Sequence, residues 1–550
     1  TGPMSAQRLL IPTLRALLIA FALFEAVNIR LYAVRTYGRV IHEFDPWFNF
    51  RAAEYMVAHG WGAFQAWYDH EVWYPLGRHV GSTTYPGLQL TAWGVHSALA
   101  AVGRPASLND VCVFLPAGFG ALAAGFTGLL AWEVTRKPNA AALATAIMAI
   151  HPGHLMRSIA GGFDNESIAV AAMVSTFYLW VRALRSDASW PAALLCGVSY
   201  SYMVAAWGGY VFVLNMIGIH AAALVLVGRY SARLWRAYSL WWLVGTAGAV
   251  FGPARYLVGW QPFQSLEQLG PTAVFAALQL WQLSEVMADR RRLDATETLK
   301  LRLRLFGYAA AAAAVAVAVV LPEGFIGPMS ARVRSLFIKH TKTGNPLVDS
   351  VAEHQATPPM LYWHYFHFTL FVMPLGLGTA FFGKSDAKLF LIVYTIVGFY
   401  FSAKMVRLLL LISPATSVCA AACLDSLIAF NIEALTADDQ PPVEGEEEEA
   451  EQPRAISPPP QQPPQEEEEQ EVEVELETKK KKKKKTKKKK PFDLPRTVHK
   501  LKRFFSNDVQ STAGFKPALE QMEMEAYGQV KAGDVPSRVR ALSLDLGEPL

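Results

Sequence analysis

Asp164 and Glu166 stand in the triplet Asp-Asn-Glu, between an apolar run that ends near Met156 and another that starts near Ser167. A carboxylate beside hydrocarbon is costly unless a partner charge compensates it. Residues two apart diverge on a helix, but in looped or extended backbone their carboxylates can converge on one cation. Asp45, in Phe44-Asp-Pro-Trp-Phe-Asn49, and Glu353, in Ser350-Val-Ala-Glu353-His-Gln355, also lie in loops next to apolar runs. Carboxylates from separate loops are the ligand set of an octahedral Mg²⁺ or Mn²⁺, which favours oxygen donors and keeps positions open for water or substrate. Arg407, in Met405-Val-Arg-Leu408, opens the last apolar run, and a guanidinium there suits a phosphate or pyrophosphate group. Arg157, seven residues before Asp164, is placed to be an orienting ion-pair partner of the acids. Each residue alone has a plainer reading, the acids as solvated loop residues and Arg407 as a side chain snorkelling to the interface.

The elements that must position these residues are apolar. The chain of 550 residues is 52% hydrophobic, and its apolar residues cluster in runs of about twenty, long enough to cross a bilayer. This excludes a single soluble domain and predicts an all-α polytopic membrane protein. The first run, Leu9 to Val34, carries Arg15, Glu25 and Arg30 and lacks the short core and small-residue site of a signal peptide, so it reads as a retained span. Basic residues in short loops mark the cytoplasmic side: Arg8 and Arg15, Arg136 and Lys137, Arg182 and Arg185, Arg229 to Arg236, and Arg290 to Arg304. Counting between those marks gives about twelve transmembrane helices. Two long loops, 36–88 and 322–359, then lie on the opposite side, with Asp45, Asp164, Glu166 and Glu353 on one face. Gln89 to Val102 is apolar but short and reads as lying on or dipping into the membrane.

After residue 430 the composition changes. Residues 431–490 are acidic, then Pro/Gln-rich, then a Lys run from Lys479 to Lys490, and residues 491–550 hold one weakly amphipathic basic stretch. Such a tail cannot bury a core and is expected to be disordered and, by parity, cytoplasmic. Cys112, Cys196, Cys419 and Cys423 sit in apolar runs and suggest neither a disulfide framework nor a zinc site. Asn165-Glu-Ser167 formally matches the glycosylation sequon, but its place inside the acidic triplet predicts that it stays unmodified.

Six motifs in order carry a resemblance: Phe44-Asp-Pro-Trp-Phe-Asn49, Trp73-Tyr-Pro-Leu-Gly-Arg78, Arg157-Ser-Ile-Ala-Gly with Asp164-Asn-Glu166, Trp207-Gly-Gly-Tyr-Val-Phe212, Ser350-Val-Ala-Glu353-His-Gln355 and Met405-Val-Arg-Leu408. Over residues 10–430 the chain resembles the catalytic subunit of eukaryotic oligosaccharyltransferase. The resemblance implies a multi-pass enzyme of the endoplasmic reticulum membrane with a luminal active site. Such an enzyme transfers a preassembled oligosaccharide from a dolichyl pyrophosphate donor to the Asn amide of an N-x-S/T acceptor, with inversion. It implies Asp45, Asp164 and Glu166 as the holders of Mn²⁺ or Mg²⁺, Glu353 with Asp45 as the catalytic groups engaging the acceptor amide, and Arg407 facing the lipid pyrophosphate. Other oligosaccharyltransferase subunits and membrane lipid are the implied partners, and no nucleic acid is among them. One departure is large. The family continues into a further span and a luminal domain with Trp-Trp-Asp-Tyr-Gly, a motif this sequence lacks. The expectation is a chain truncated or misjoined after the Lys run, or one that binds donor but has lost acceptor recognition.

Two other classes compete. A secondary transporter would use the acids as proton relays and Arg407 as a clamp, but the acids lie in loops and no pair of broken helices recurs in two halves. A non-catalytic scaffold that binds lipid-linked glycan would keep the donor groups without transfer.

Overall fold

The computed structural model describes residues 3–316, 327, 351–383 and 385–437, all within one compact unit that extends to Pro442. Among the described residues the fold is helical apart from a two-residue antiparallel pair, Tyr68–Asp69 with Arg78–His79, and an isolated bridge between Ser265 and Gly327. Among the described residues, four helices are long and apolar enough to cross a membrane: Leu10–Arg30, Leu108–Thr135, Asp386–Lys404 and Val406–Ala434. Three shorter apolar helices, Pro138–Ile150, Tyr210–Leu226 and Thr369–Phe381, accompany them.

The two outermost candidates in sequence behave oppositely. Along Leu10–Arg30 the side chains of Leu10, Leu14, Leu17, Phe21 and Phe24 face outward, as a span against lipid requires. The last helix is buried by protein almost throughout, from Leu409 to Cys423. A buried helix can carry more polar residues than a lipid-facing one. Asn165–Ala183 holds Ser175 and Thr176 in its interior, where both lie within hydrogen-bonding distance of Ser199 on the neighbouring helix Trp190–Ala206. That neighbour in turn packs tightly on Ala232–Phe251. Gly197 abuts Val244, and Gly245 abuts Tyr200 so closely that a Cβ at either glycine would collide. Aromatic rings fill the remaining space, Trp180 standing edge-on to Tyr238 and donating its Nε1–H to His220 Nδ1 (3.0 Å).

The expected first loop is ordered. It contains the helix Phe44–Ala66, and the apolar stretch after Gln89 lies in a helix, Gly87–Ala101, that buries Leu88, Gln89 and Ala92. The expected loop 322–359 falls mostly outside the described residues, apart from Gly327 and residues 351–359. Of the expected tail, only the end of the helix Leu409–Ala437 is described, and residues 438–550 lie outside.

Candidate active site

Hydrogen bonds bring residues 42, 49, 85, 113 and 206 to the turn that carries the Asp-Asn-Glu triplet. The backbone that delivers it turns at Gly161, where φ is +93°. A Cβ there would stand 2.5 Å from the Val40 carbonyl and 2.6 Å from His42 Nε2, so the turn requires glycine. Hydrogen bonds pin the turn on both sides: Gly161 N–H donates to Val113 O (2.9 Å), and His42 N–H donates to Gly161 O (3.2 Å). Asp164 then takes the cap position of the helix Asn165–Ala183, with extended backbone (φ −124°, ψ 155°), and its side chain accepts from Asn165 N–H (2.7 Å). Glu166 lies in the first helical turn. One acid before the helix and one inside it is the geometry that lets two carboxylates two residues apart point into one region.

Asn49 fastens the other acid-bearing element to this turn. It lies one helical turn after Asp45, is buried, and donates from Nδ2 to Phe163 O (3.2 Å) and to Asp164 Oδ1 (3.3 Å) while accepting from Gln89 Nε2 (3.2 Å). Asn165 spends its side-chain amide on Ala206 O (2.6 Å) and Tyr85 O (3.4 Å), which ties the triplet to the Trp207-Gly-Gly turn.

The acids and arginines named from the sequence form an alternating ring. Glu166, with no exposed surface, pairs through Oε1 with Arg407 and through Oε2 with Arg157 Nε (3.2 Å). Glu353 closes the ring, its Oε2 accepting from Arg157 and its Oε1 from Arg407 Nη1 (3.3 Å). Arg157, Glu353 and Arg407 keep roughly a quarter of their side-chain surface open, at 23%, 29% and 27%, so the ring can be reached from outside while Glu166 cannot. Backbone pairing holds two of its members together: Val406 N–H donates to Gln355 O (3.0 Å), and Thr357 N–H donates to Ala403 O (3.3 Å). Thr357 Oγ1 also donates to Ser402 O (2.5 Å), and Tyr362 Oη lies 2.7 Å from Ser402 Oγ.

The electrostatics separate the acids. Burial pushes Glu353 upward, but Arg407 and then Arg157 outweigh it and hold the carboxyl below its ordinary range. Asp164 is pushed up to about 6, by burial first and by the neighbouring Glu166 second, with Asn165 N–H and Arg407 pulling it back and Asp45 adding to the rise. Asp45 is exposed, in the first turn of its helix.

Among the described residues no three His, Cys, Asp or Glu side chains are gathered as a set that could hold a metal ion. Asp45, Asp164 and Glu166 are neighbours but not a closed triad, because Glu166 is taken up by two guanidiniums. The donor chemistry nonetheless fits a hard divalent cation. Every donor is a carboxylate oxygen, and Glu166 Oε2 is buried with Arg157 Nε 3.2 Å away but no hydrogen bond.

The sequence gives Asn49, Gln89 and Asn165 no role in joining these segments. The signal available for Asn49 is an amide one helical turn beyond a candidate ligand, on the face that such a ligand occupies.

Membrane-crossing helices with acids and arginines from four separate segments gathered at their ends define a multi-pass membrane protein with an ion-paired polar site. Comparison with known proteins gives the family. Residues 13–420 match the model of the family described as "Oligosaccharyl transferase STT3, N-terminal", and the chain belongs to that family. It is 38% identical over 409 residues to the dolichyl-diphosphooligosaccharide–protein glycosyltransferase subunit stt-3 of Caenorhabditis elegans, across 74% of this chain and 53% of that protein. The chain thus spans about half the length of this curated relative. The fold is similar to the oligosaccharyltransferase AglB of Archaeoglobus fulgidus in complex with an inhibitory peptide and a dolichol-phosphate, with a TM-score of 0.62 and 18% identity over 77% of this chain and 51% of that one. It is also similar to an Archaeoglobus fulgidus oligosaccharyltransferase in complex with Zn and sulfate, with a TM-score of 0.56 and 18% identity over 76% and 50% of the two chains.

Proposed function

We propose that this chain is the membrane part of an oligosaccharyltransferase, which transfers a glycan from a dolichyl pyrophosphate to the side-chain amide of Asn in an N-x-S/T acceptor. The observation that carries the reading is the ring Glu166–Arg157–Glu353–Arg407 set beside Asp164: carboxylates for a cation and an amide, and a guanidinium for a phosphate, within one site. Family membership, the name of the nematode relative, and the dolichol-phosphate, peptide and Zn complexes of archaeal proteins with this fold support it.

In this reading Asp45, Asp164 and Glu166 hold Mn²⁺ or Mg²⁺. A cation held there would supply Lewis-acid stabilisation of the pyrophosphate leaving group. Arg407 presents a fork that two phosphate oxygens can accept in place of the two carboxylates it now serves. An amide nitrogen is a poor nucleophile because its lone pair is delocalised. Glu353 and Asp45, accepting from the two N–H groups of the acceptor amide, would weaken that delocalisation and aim the nitrogen at the anomeric carbon opposite the leaving group. Arg157 keeps Glu353 charged and oriented for this role. The finer topology belongs to the same reading: about twelve spans, the site on the luminal side of the endoplasmic reticulum membrane, the tail in the cytoplasm, and other oligosaccharyltransferase subunits as partners.

Two variants of the purified chain in lipid nanodiscs test it. Arg407→Ala should weaken binding of a dolichyl-pyrophosphate oligosaccharide by about 1.5–3 kcal/mol, the scale of a lost charged hydrogen bond. Asp164→Ala should abolish the dependence of that binding, and of any transfer to an N-x-T peptide, on added Mn²⁺. Donor binding insensitive to Arg407→Ala, or metal dependence unchanged in Asp164→Ala, would overturn the assignment.

A further inference from the structure

Arg30 ends the first membrane-crossing helix and is fully buried, yet none of its hydrogen-bond partners is a carboxylate. Its Nε donates to Ser158 Oγ (2.8 Å), and its Nη1 donates to the carbonyls of Ala26 (2.8 Å) and Ala149 (2.7 Å). Its Nη2 lies 3.3 Å from His154 Nδ1, which must accept there and carry its proton on Nε2. A guanidinium enclosed this way, with neutral acceptors alone, is costly to bury, so its retention points to what it holds. Ala149 lies in the last turn of the helix Pro138–Ile150, His154 in the short turn Pro152–Leu155, and Ser158 beside Arg157. The Arg30 carbonyl accepts from Ala160 N–H (2.9 Å) as well. One residue therefore fastens positions 149, 154, 158 and 160, the whole bend from which Arg157 projects toward Glu166 and Glu353. Across from it Gly120 leaves the space, since a Cβ there would run into the guanidinium.

We propose that Arg30 is a positioning residue for Arg157. By fixing the bend 149–160 it sets the direction of the Arg157 guanidinium, and through the Arg157–Glu353 bridge it holds the segment 351–358 against the site. The fork matters more than the charge: an ammonium at the same place cannot reach an oxygen on Ser158 and two carbonyls on different helices together. The consequence for transfer rests on the oligosaccharyltransferase reading, whereas the consequence for the two segments does not.

Hydrogen–deuterium exchange on the full chain in nanodiscs tests the proposal without relying on turnover. Arg30→Met, which keeps an apolar filling and removes the fork, should raise exchange in peptides covering 154–162 and 351–358 by roughly five- to tenfold, the scale of one or two lost hydrogen bonds, and leave the helix Trp190–Ala206 unchanged. Arg157→Ala should raise exchange at 351–358 to the same degree, and adding Arg30→Met to it should raise it no further, because both act through one bridge. Arg30→Lys should fall between the parent and Arg30→Met. If Arg30→Met does not fold, Ser158→Ala, which removes the Nε contact alone, should produce the same pattern at smaller amplitude. Unchanged exchange at 351–358 in the foldable variants, or additive effects of Arg30→Met and Arg157→Ala, would overturn the proposal. Where the parent transfers glycan, Arg30→Met should lower kcat more than it alters KM for the donor. A parent that transfers nothing is an outcome the membrane part alone can give, and the exchange result then decides on Arg30.

Discussion

Glu166 and Asp164 are two residues apart and sit in opposite circumstances. Glu166 is enclosed and shared by two guanidiniums, while Asp164 faces other acids, with Asn49 and the Asn165 N–H as its hydrogen-bond donors. Burial first, and the neighbouring Glu166 second, favour a proton on Asp164 in the folded protein and raise its pKa from 3.8 to about 6. The sign follows from linkage. Between about pH 4 and pH 6 the folded state keeps a proton that the unfolded state has lost, so in EDTA stability falls as pH rises through this window and levels off above it. Thermal unfolding of the parent in EDTA should show that fall, and Asp164→Asn should abolish it. Added Mn²⁺ should remove it too, since a cation takes over the role of the proton. An identical pH profile in parent and Asp164→Asn would mean that another group titrates there.

At the scale of elements, the site depends on backbone more than on the side chains that a sequence displays. The spacing of Asp164 and Glu166, the candidate metal role of Asp45 and the ion-pair role of Arg157 could be read from residue type and sidedness. The ring itself could not, because Gln355 and Val406 meet through backbone groups that every residue carries, and nothing in the types of Asn49 or Gln89 announces that they join two distant helices. Gly161 is the case where one residue decides the turn. Gly161→Ala must place a Cβ against Val40 O and His42 at a positive φ, and should cost about 1–3 kcal/mol for the strained backbone alone, more with the collision. Gly94, inside the helix Gly87–Ala101 with nothing within 4 Å of a built Cβ, is the control: Gly94→Ala should be neutral or stabilise by up to about 1 kcal/mol. Thermal melts of the two variants in one detergent compare them directly. Equal melting temperatures would show that the turn at Gly161 can relax.

Among the described residues, two of the buried helices carry charge at both ends. The helix Asn165–Ala183 starts at the Asp164 cap and ends at Arg182, and Leu108–Thr135 starts beside Asp110 and ends at Glu133. At that far end the buried Glu133 meets Arg136 (2.7 Å), Arg182 (3.4 Å) and Arg185 (3.5 Å). Those arginines are the marks on which the sequence reading of sidedness rests, whereas the number of crossings is harder to read because helices enclosed by protein need not be uniformly apolar. If the basic end is cytoplasmic and the ring faces the other side, a membrane-impermeant maleimide can tell them apart. All four native cysteines are buried, so background labelling should be low. Tyr74, 83% exposed, lies in the loop that follows the helix bearing Asp45, and Asp187, 78% exposed at its side chain, lies beside Arg185 and pairs with Arg236. In sealed microsomes Asp187→Cys should label at once, and Tyr74→Cys should label only after the membrane is opened. Labelling of Tyr74→Cys in sealed vesicles would put the ring on the cytoplasmic side, where a luminal transfer reaction could not use it.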